Sequence, residues 1–144
     1  MNGFTVTRTF DAPRERVWRE WTEPGAFADW FGGSEGRVPL DTVAMDVRPG
    51  GSWRLTMHHS GREIHWTGDY VEVEPPAHLV FTITDQPGDA QRDVCTLDLT
   101  DAGDGRTQMR FEQRGGMTPE QYQATKHGWA GFFDRIAERL AAPR

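Results

Sequence analysis

TPEQYQATKHGWAGFFDRIAERL, residues 118–140, is the one long amphipathic helix that the sequence offers. Thr118 supplies a hydroxyl cap, and Pro119 takes the first helical position, where its missing N–H costs nothing. Tyr122, Trp129, Phe132, Phe133, Ile136 and Leu140 then recur at helical spacing, leaving Glu120, Gln123, Asp134 and Arg135 for water. From residue 36 up to this helix the pattern reads as strand. One helix cannot fully cover the inner face of a curved antiparallel sheet, so the space between them tends to become a cavity. That geometry makes a pocket the leading functional idea.

Upstream, Phe4, Val6, Arg8 and Phe10 alternate with Thr5, Thr7 and Thr9, a strand whose apolar face is interrupted by one arginine. Pro13 opens a short helix with Glu15 in its first turn and Val17, Trp18 and Trp21 as its buried stripe. Thr22-Glu23-Pro24-Gly25 breaks it and starts a second one, through Phe27 to about Trp30. Gly32-Gly33-Ser34-Glu35-Gly36 has little to pack and reads as a flexible loop, suited to a mobile flap at a pocket mouth. Strands at hairpin spacing follow, separated by turns at Pro49-Gly50-Gly51, Ser60-Gly61, Glu74-Pro75-Pro76, Gln86–Asp89 and Ala102–Gly105. A two-residue loop at Ser60-Gly61 sets Met57 opposite Ile64, Leu55 opposite Trp66, and Trp53 over Gly68. Leu79, Phe81 and Ile83, then Cys95, Leu97 and Leu99, then Met109, Phe111 and Gln113 fall on the inward faces. The order is strand, two helices, six strands, long helix: an α+β chain forming a single domain over residues 1–144.

Composition narrows the partners. Lys and Arg number 16 against 22 Asp and Glu, a formal net charge of −6, with no clustered basic patch. Phosphate binding needs a concentrated positive face, which argues against nucleic acid. No segment approaches the ~20 apolar residues of a membrane span, and Met1-Asn2-Gly3-Phe4 shows no export signal. The lone Cys95 excludes an internal disulfide and fits a reducing cytoplasm. Six Trp and eight Phe are a heavy aromatic load, enough to fill a core or line a cavity.

Several fragments carry a resemblance. Arg8-Thr9-Phe10-Asp11-Ala12-Pro13 running into Val17-Trp18, with Trp21-Thr22-Glu23-Pro24 and Trp30-Phe31, resembles the opening of the START-like (SRPBCC) helix-grip superfamily. Pro49–Trp53, Gly68-Asp69-Tyr70 through Pro75-Pro76 to Leu79, and His127-Gly128-Trp129 resemble one branch of it. That branch is named for the C-terminal domain of the activator of the ninety-kilodalton heat-shock-protein ATPase. The resemblance implies a seven-stranded antiparallel sheet wrapped around the C-terminal helix, with two short helices closing one end. It also implies binding of hydrophobic ligands such as lipids, sterols or polyketides, with some members acting as cyclases or aromatases. The chain has no room for the extra N-terminal domain of the full-length eukaryotic activator, so the name adds little to a chaperone role.

The expected ligand-binding set is Arg8, Trp30, Phe31, Trp53, Leu55, Met57, Trp66, Phe81, Met109, Phe111, Gln113, Trp129 and Phe133. As pocket lining these side chains would hold an apolar or amphipathic molecule. As plain core they would only exclude water, each large ring burying roughly 150–250 Å². Arg8 and Gln113 are the polar intruders. Arg8 is expected inward or at the rim, meeting a protein carboxylate or carbonyl, an anionic ligand group, or water by snorkelling. Gln113 orients a ligand carbonyl or sits at its strand end in water. Trp129 is expected against the sheet, with Gly128 allowing close approach. His127 is either a general acid facing the pocket or a surface histidine. His58, His65 and Glu63 share an outward face but lack a second shell, so no metal site and no cofactor is expected. No residue is assigned to catalysis. Three readings remain open: a cytoplasmic binding domain for a small hydrophobic ligand, a cyclase- or aromatase-like enzyme, and a chaperone-regulating protein-binding module, as monomer or homodimer.

Overall fold

Seven antiparallel strands curve around a long helix in the computed structural model, which describes residues 1–142. The strands are β1 (Asn2–Phe10), β2 (Ala44–Met45), β3 (Ser52–His59), β4 (Arg62–Glu74), β5 (His78–Ile83), β6 (Asp93–Gly103) and β7 (Arg106–Gly115). Their order in the sheet is β1-β7-β6-β5-β4-β3-β2. Helices α1 (Arg14–Thr22) and α2 (Pro24–Trp30) therefore carry the chain from one edge strand to the other, and α3 (Pro119–Ala141) closes it. This is the helix-grip arrangement that the family resemblance implies, in the element order read from the sequence pattern.

Local chemistry accounts for the element ends. Thr118 accepts from the backbone N–H of Gln121 at 3.2 Å, while the Gln121 side chain takes the Thr118 N–H at 2.8 Å, a reciprocal cap. Pro13 stands one residue before α1 rather than inside it; its carbonyl accepts from Arg16 and Val17. Ser60 and Gly61 both have positive φ, the geometry whose twist suits a two-residue hairpin. The pairing of β3 with β4 follows: Trp53 opposite Gly68, Leu55 opposite Trp66, Met57 opposite Ile64. A Cβ on Gly68 would collide with the Thr82 carbonyl oxygen, which already accepts from Trp53 Nε1 at 3.1 Å.

Two stretches differ from the sequence pattern. Residues 36–43 are not strand: Arg37 bridges to His58, and Leu40–Thr42 form a 3₁₀ turn. Pro39 has no N–H for a ladder, and its carbonyl accepts from Thr42 Oγ1 at 2.7 Å. The glycine loop is also less loose than expected. Gly33 and Gly36 donate to the carbonyls of Trp30 and Gly32, and side chains on Gly32 or Gly36 would meet Met57 Sδ.

Trp21, from α1, sits at the hub of the core. Its ring lies 5.7 Å from Phe111, 6.1 Å from Trp129 and 4.8 Å from Trp30. Helix α3 lies along the β1 side of the sheet, where Phe10, Met109, Phe111, Phe133 and Ile136 are buried together. Its far end is tied by charge. Arg139 bonds the buried Glu20 carboxylate at 2.6 and 3.3 Å and also meets Asp29, which takes Arg135 at 3.1 Å. A buried carboxylate needs such a partner, and the two acids in turn hold the Arg139 guanidinium above its usual pKa. Asp134 and Arg135, assigned to water by helical periodicity alone, are thus both engaged, Asp134 with Arg8.

Candidate functional site

Because α3 lies along β1, it leaves space on its other side, toward β4 and β5. A half-enclosed cavity of about 200 Å³ lies there, lined by Phe31, Trp66, Ile83, Gln113, Thr125, Gly128, Trp129 and Phe132. Each wall has a clear source. Phe31 ends α2; Trp66, Ile83 and Gln113 are inward residues of β4, β5 and β7; the other four project from successive turns of α3. Gly128 forms its part of the wall by absence, since a Cβ there would find no heavy atom within 4 Å. That corrects the expectation that Gly128 lets the sheet approach closely.

The polar end of the cavity is a connected network. Trp129 Nε1 donates to Gln113 Oε1 at 2.8 Å, and Gln113 Nε2 donates to Asp93 Oδ2 at 2.8 Å. Tyr122 donates its hydroxyl to the same Asp93 oxygen at 2.9 Å. Gly115 makes room, because any Cβ there would strike the Asp93 carboxylate and crowd the Tyr122 oxygen. Burial, with the Asp93 charge adding to it, pushes the Tyr122 hydroxyl up to about 12, so it stays a donor. Asp93 carries an acceptor into the inward row of Cys95, Leu97 and Leu99, the two-residue alternation by which sequence could have found it.

The residues expected to bind a ligand divide by place. Phe31, Trp66, Gln113 and Trp129 come together around the cavity. Met109, Phe111 and Phe133 are fully buried core, and Trp53 and Phe81 border a void of only about 10 Å³. Trp30 is also buried, its indole N–H held by the Glu20 carbonyl at 2.7 Å. Leu55 and Trp66 reach a groove of about 510 Å³ lined also by Asp41, Thr42, Arg54 and His65. Met57 borders another, of about 360 Å³, beneath the glycine loop and beside His59 and His127. Arg8 is half-buried; it donates to the Ala130 carbonyl at 3.2 Å and to Asp134, so its head group is held against α3. Ile83, Thr125, Gly128 and Phe132 complete the cavity wall and were not in the expected set.

Ionisable chemistry lies elsewhere. No side chain on the cavity wall titrates, and Thr125 Oγ1 donates to its own helix at Gln121 O. Cys95 is wholly buried, and burial pushes its thiol well up, leaving it unreactive. His58 faces Glu63 across the hairpin, and His65 Nδ1 meets Thr56 Oγ1 at 3.1 Å. The described residues with ligand atoms close enough to share an ion are instead Glu72, Glu74 and His78, on the outer face. His78 is already paired, with Asp98 at 2.6 Å and Glu72 at 3.2 Å. Those carboxylates raise its pKa above 6.5.

Comparison with known proteins agrees with this architecture. The family model for Activator of Hsp90 ATPase homolog 1-like protein matches residues 11–141. A protein of Chromobacterium violaceum superposes with a TM-score of 0.85 at 22% identity, covering 99% of this chain and 100% of that one. An AHSA1 protein from Silicibacter pomeroyi gives 0.84 at 20% identity, covering 97% and 98%. A protein of Nitrosomonas europaea gives 0.81 at 22%, covering 96% and 93%. At those identities the likeness is one of fold. No curated protein matches the sequence. No helix among the described residues is long and apolar enough to cross a membrane.

Proposed function

The chain belongs to the family of Activator of Hsp90 ATPase homolog 1-like proteins, and on that premise we propose that it binds a small hydrophobic molecule. The ligand site is the cavity between α3 and the sheet. One observation carries the reading: about 200 Å³ of space lined by aromatic rings, beside a buried amide whose hydrogen bonds hold it in place. Size sets the class of ligand. An apolar cavity of about 150 Å³ takes benzene, so this one suits one ring or a fused pair, not a sterol or an acyl chain. The wall offers Gln113 and Thr125 for orientation and nothing that exchanges protons, which favours binding over acid–base catalysis.

The test is a titration with naphthalene followed by backbone and indole NMR resonances. Shifts concentrated at Phe31, Trp66, Gln113, Trp129 and Phe132 are expected. Resonances that stay unmoved up to the solubility limit refute the site. Native mass spectrometry of the protein purified from its own host then reads the mass of a retained ligand. A bound chaperone in place of a small molecule would favour the protein-binding reading.

A further inference from the structure

We propose that Phe132 is the partition inside one two-chambered ligand site, made of the cavity and the groove beneath the glycine loop. The ligand is then an aromatic ring carrying a short chain with a polar end, rather than a bare ring. The inference deepens the binding reading and rests on the cavity being a ligand site.

Helix α3, at about 3.6 residues per turn, shows a different row of residues to each space. Thr125 and Trp129 line the cavity, His127 and Gly131 line the neighbouring groove of about 360 Å³, and Gly128 and Phe132 line both. Gly128 has no side chain, so the Phe132 ring is what the helix contributes to the wall between them. It closes that wall against Phe31, with ring centres 5.1 Å apart. The ring is not locked in place. Phe132 is only partly buried, whereas its neighbour Phe133 is fully buried. A helical side chain leans back over the preceding turn, which for Phe132 means over Gly128. A Cβ at Gly128 or Gly131 would meet no heavy atom within 4 Å, so the ring has open space to swing into. Beyond it the lining changes character. The cavity is mostly aromatic, while the groove holds Ser34, Glu35, His59 and His127, with His59 Nε2 at 3.4 Å from the Glu35 carboxylate. An apolar chamber that opens onto a polar one matches a ligand with an aromatic end and a hydrogen-bonding end.

Toluene and phenylbutanol, whose hydroxyl ends a four-carbon chain, test this by NMR titration of the wild type and of Phe132→Ala. Toluene should move the Gln113 side-chain amide, which reports on the cavity, and leave the Met57 methyl group, which reports on the groove. Phenylbutanol should move both, with intermolecular nuclear Overhauser contacts from its ring to Trp129 and from its terminal CH₂ to Met57. The phenylbutanol-to-toluene affinity ratio should be about three- to tenfold higher in Phe132→Ala, because no aromatic contact with Phe31 is given up to admit the chain. Comparing ratios removes the difference in transfer from water between the two compounds. The Met57 contact in the wild type decides if Phe132→Ala fails to fold. Phenylbutanol bound with its ring at Trp129 but never reaching Met57, at a ratio that Phe132→Ala leaves unchanged, overturns the partition while leaving the pocket intact. Failure of both compounds to move Gln113 overturns the pocket as well.

Discussion

Gln113 and Trp129 join the sheet to the long helix through a hydrogen bond of 2.8 Å, with each residue only 4% exposed. The contact places a polar pair inside an aromatic core and fixes how α3 turns toward the cavity. Asp93 and Tyr122 complete the pair by taking the second end of Gln113 and anchoring the first turns of α3. Buried polar groups that are fully partnered specify one arrangement, whereas a half-satisfied set is worse than an apolar core.

Gln113→Leu should therefore cost about 1–3 kcal/mol, because it leaves the Trp129 N–H and the Asp93 carboxylate short of a partner. Trp129→Ala should cost about 3–5 kcal/mol, as expected for a large buried ring. In the Trp129→Phe background, Gln113→Leu should cost less, since the donor is gone. Chemical denaturation of the four proteins in that cycle gives the coupling. Additive losses would mean that the bond contributes nothing.

Gly68→Ala should destabilise by about 1–3 kcal/mol, the usual effect of forcing atoms into a packed site. The new methyl group would drive the Thr82 carbonyl away and loosen its bond from Trp53. Gly88→Ala is the control, with open space around its Cβ, and should change stability by no more than about 0.5 kcal/mol. Equal effects at both positions would refute the close approach at Gly68.

How much of this was legible before the fold was known varies by residue. The β3–β4 register was readable because a two-residue turn leaves one alignment that keeps Trp53, Leu55 and Met57 on the inner face. Residues 36–43 were not, because Val38, Leu40 and Val43 alternate too weakly to reveal the 3₁₀ turn that Pro39 begins. Glu20 shares a helical face with Val17 and Trp21, so its burial had a signal; its partner Arg139, 119 residues away, had none. The inward faces of the strands were plain. Which of those residues would enclose space depended on how α3 leans toward β1, and pattern alone does not contain that lean.

His78 should make stability depend on pH. Its hydrogen bonds and charge pairing with Asp98 and Glu72 raise its folded pKa above the ordinary 6.5, outweighing the lowering by burial; Glu74 lies beside the same ring. A raised pKa stabilises the fold fully below the unfolded value, and the gain is lost as pH rises through the folded one. His78→Gln should thus lose more stability near about pH 5.5 than near about pH 9. Thermal unfolding at both pH values measures it, with Asp98→Asn expected to shrink the same difference. A loss that is equal at the two pH values would show that the pairing does not follow the histidine's charge.

Gly128 separates the stability of α3 from the shape of the cavity. A glycine inside a helix costs roughly 0.8–1 kcal/mol relative to alanine, and no neighbour here requires its small size. Gly128→Ala should accordingly raise stability by about that amount in chemical denaturation. Gly128→Leu would place a longer apolar side chain at the cavity wall, between Thr125 and Phe132. Its fold should be at least as stable as the wild type, while naphthalene binding should weaken by at least about tenfold, since the ligand and the new side chain compete for the same space. Loss of binding without loss of folding identifies Gly128 as part of the wall. Unchanged binding in a folded Gly128→Leu protein would put the ligand elsewhere, and a strongly destabilised Gly128→Leu would mean that the space beside the helix is needed by the protein itself.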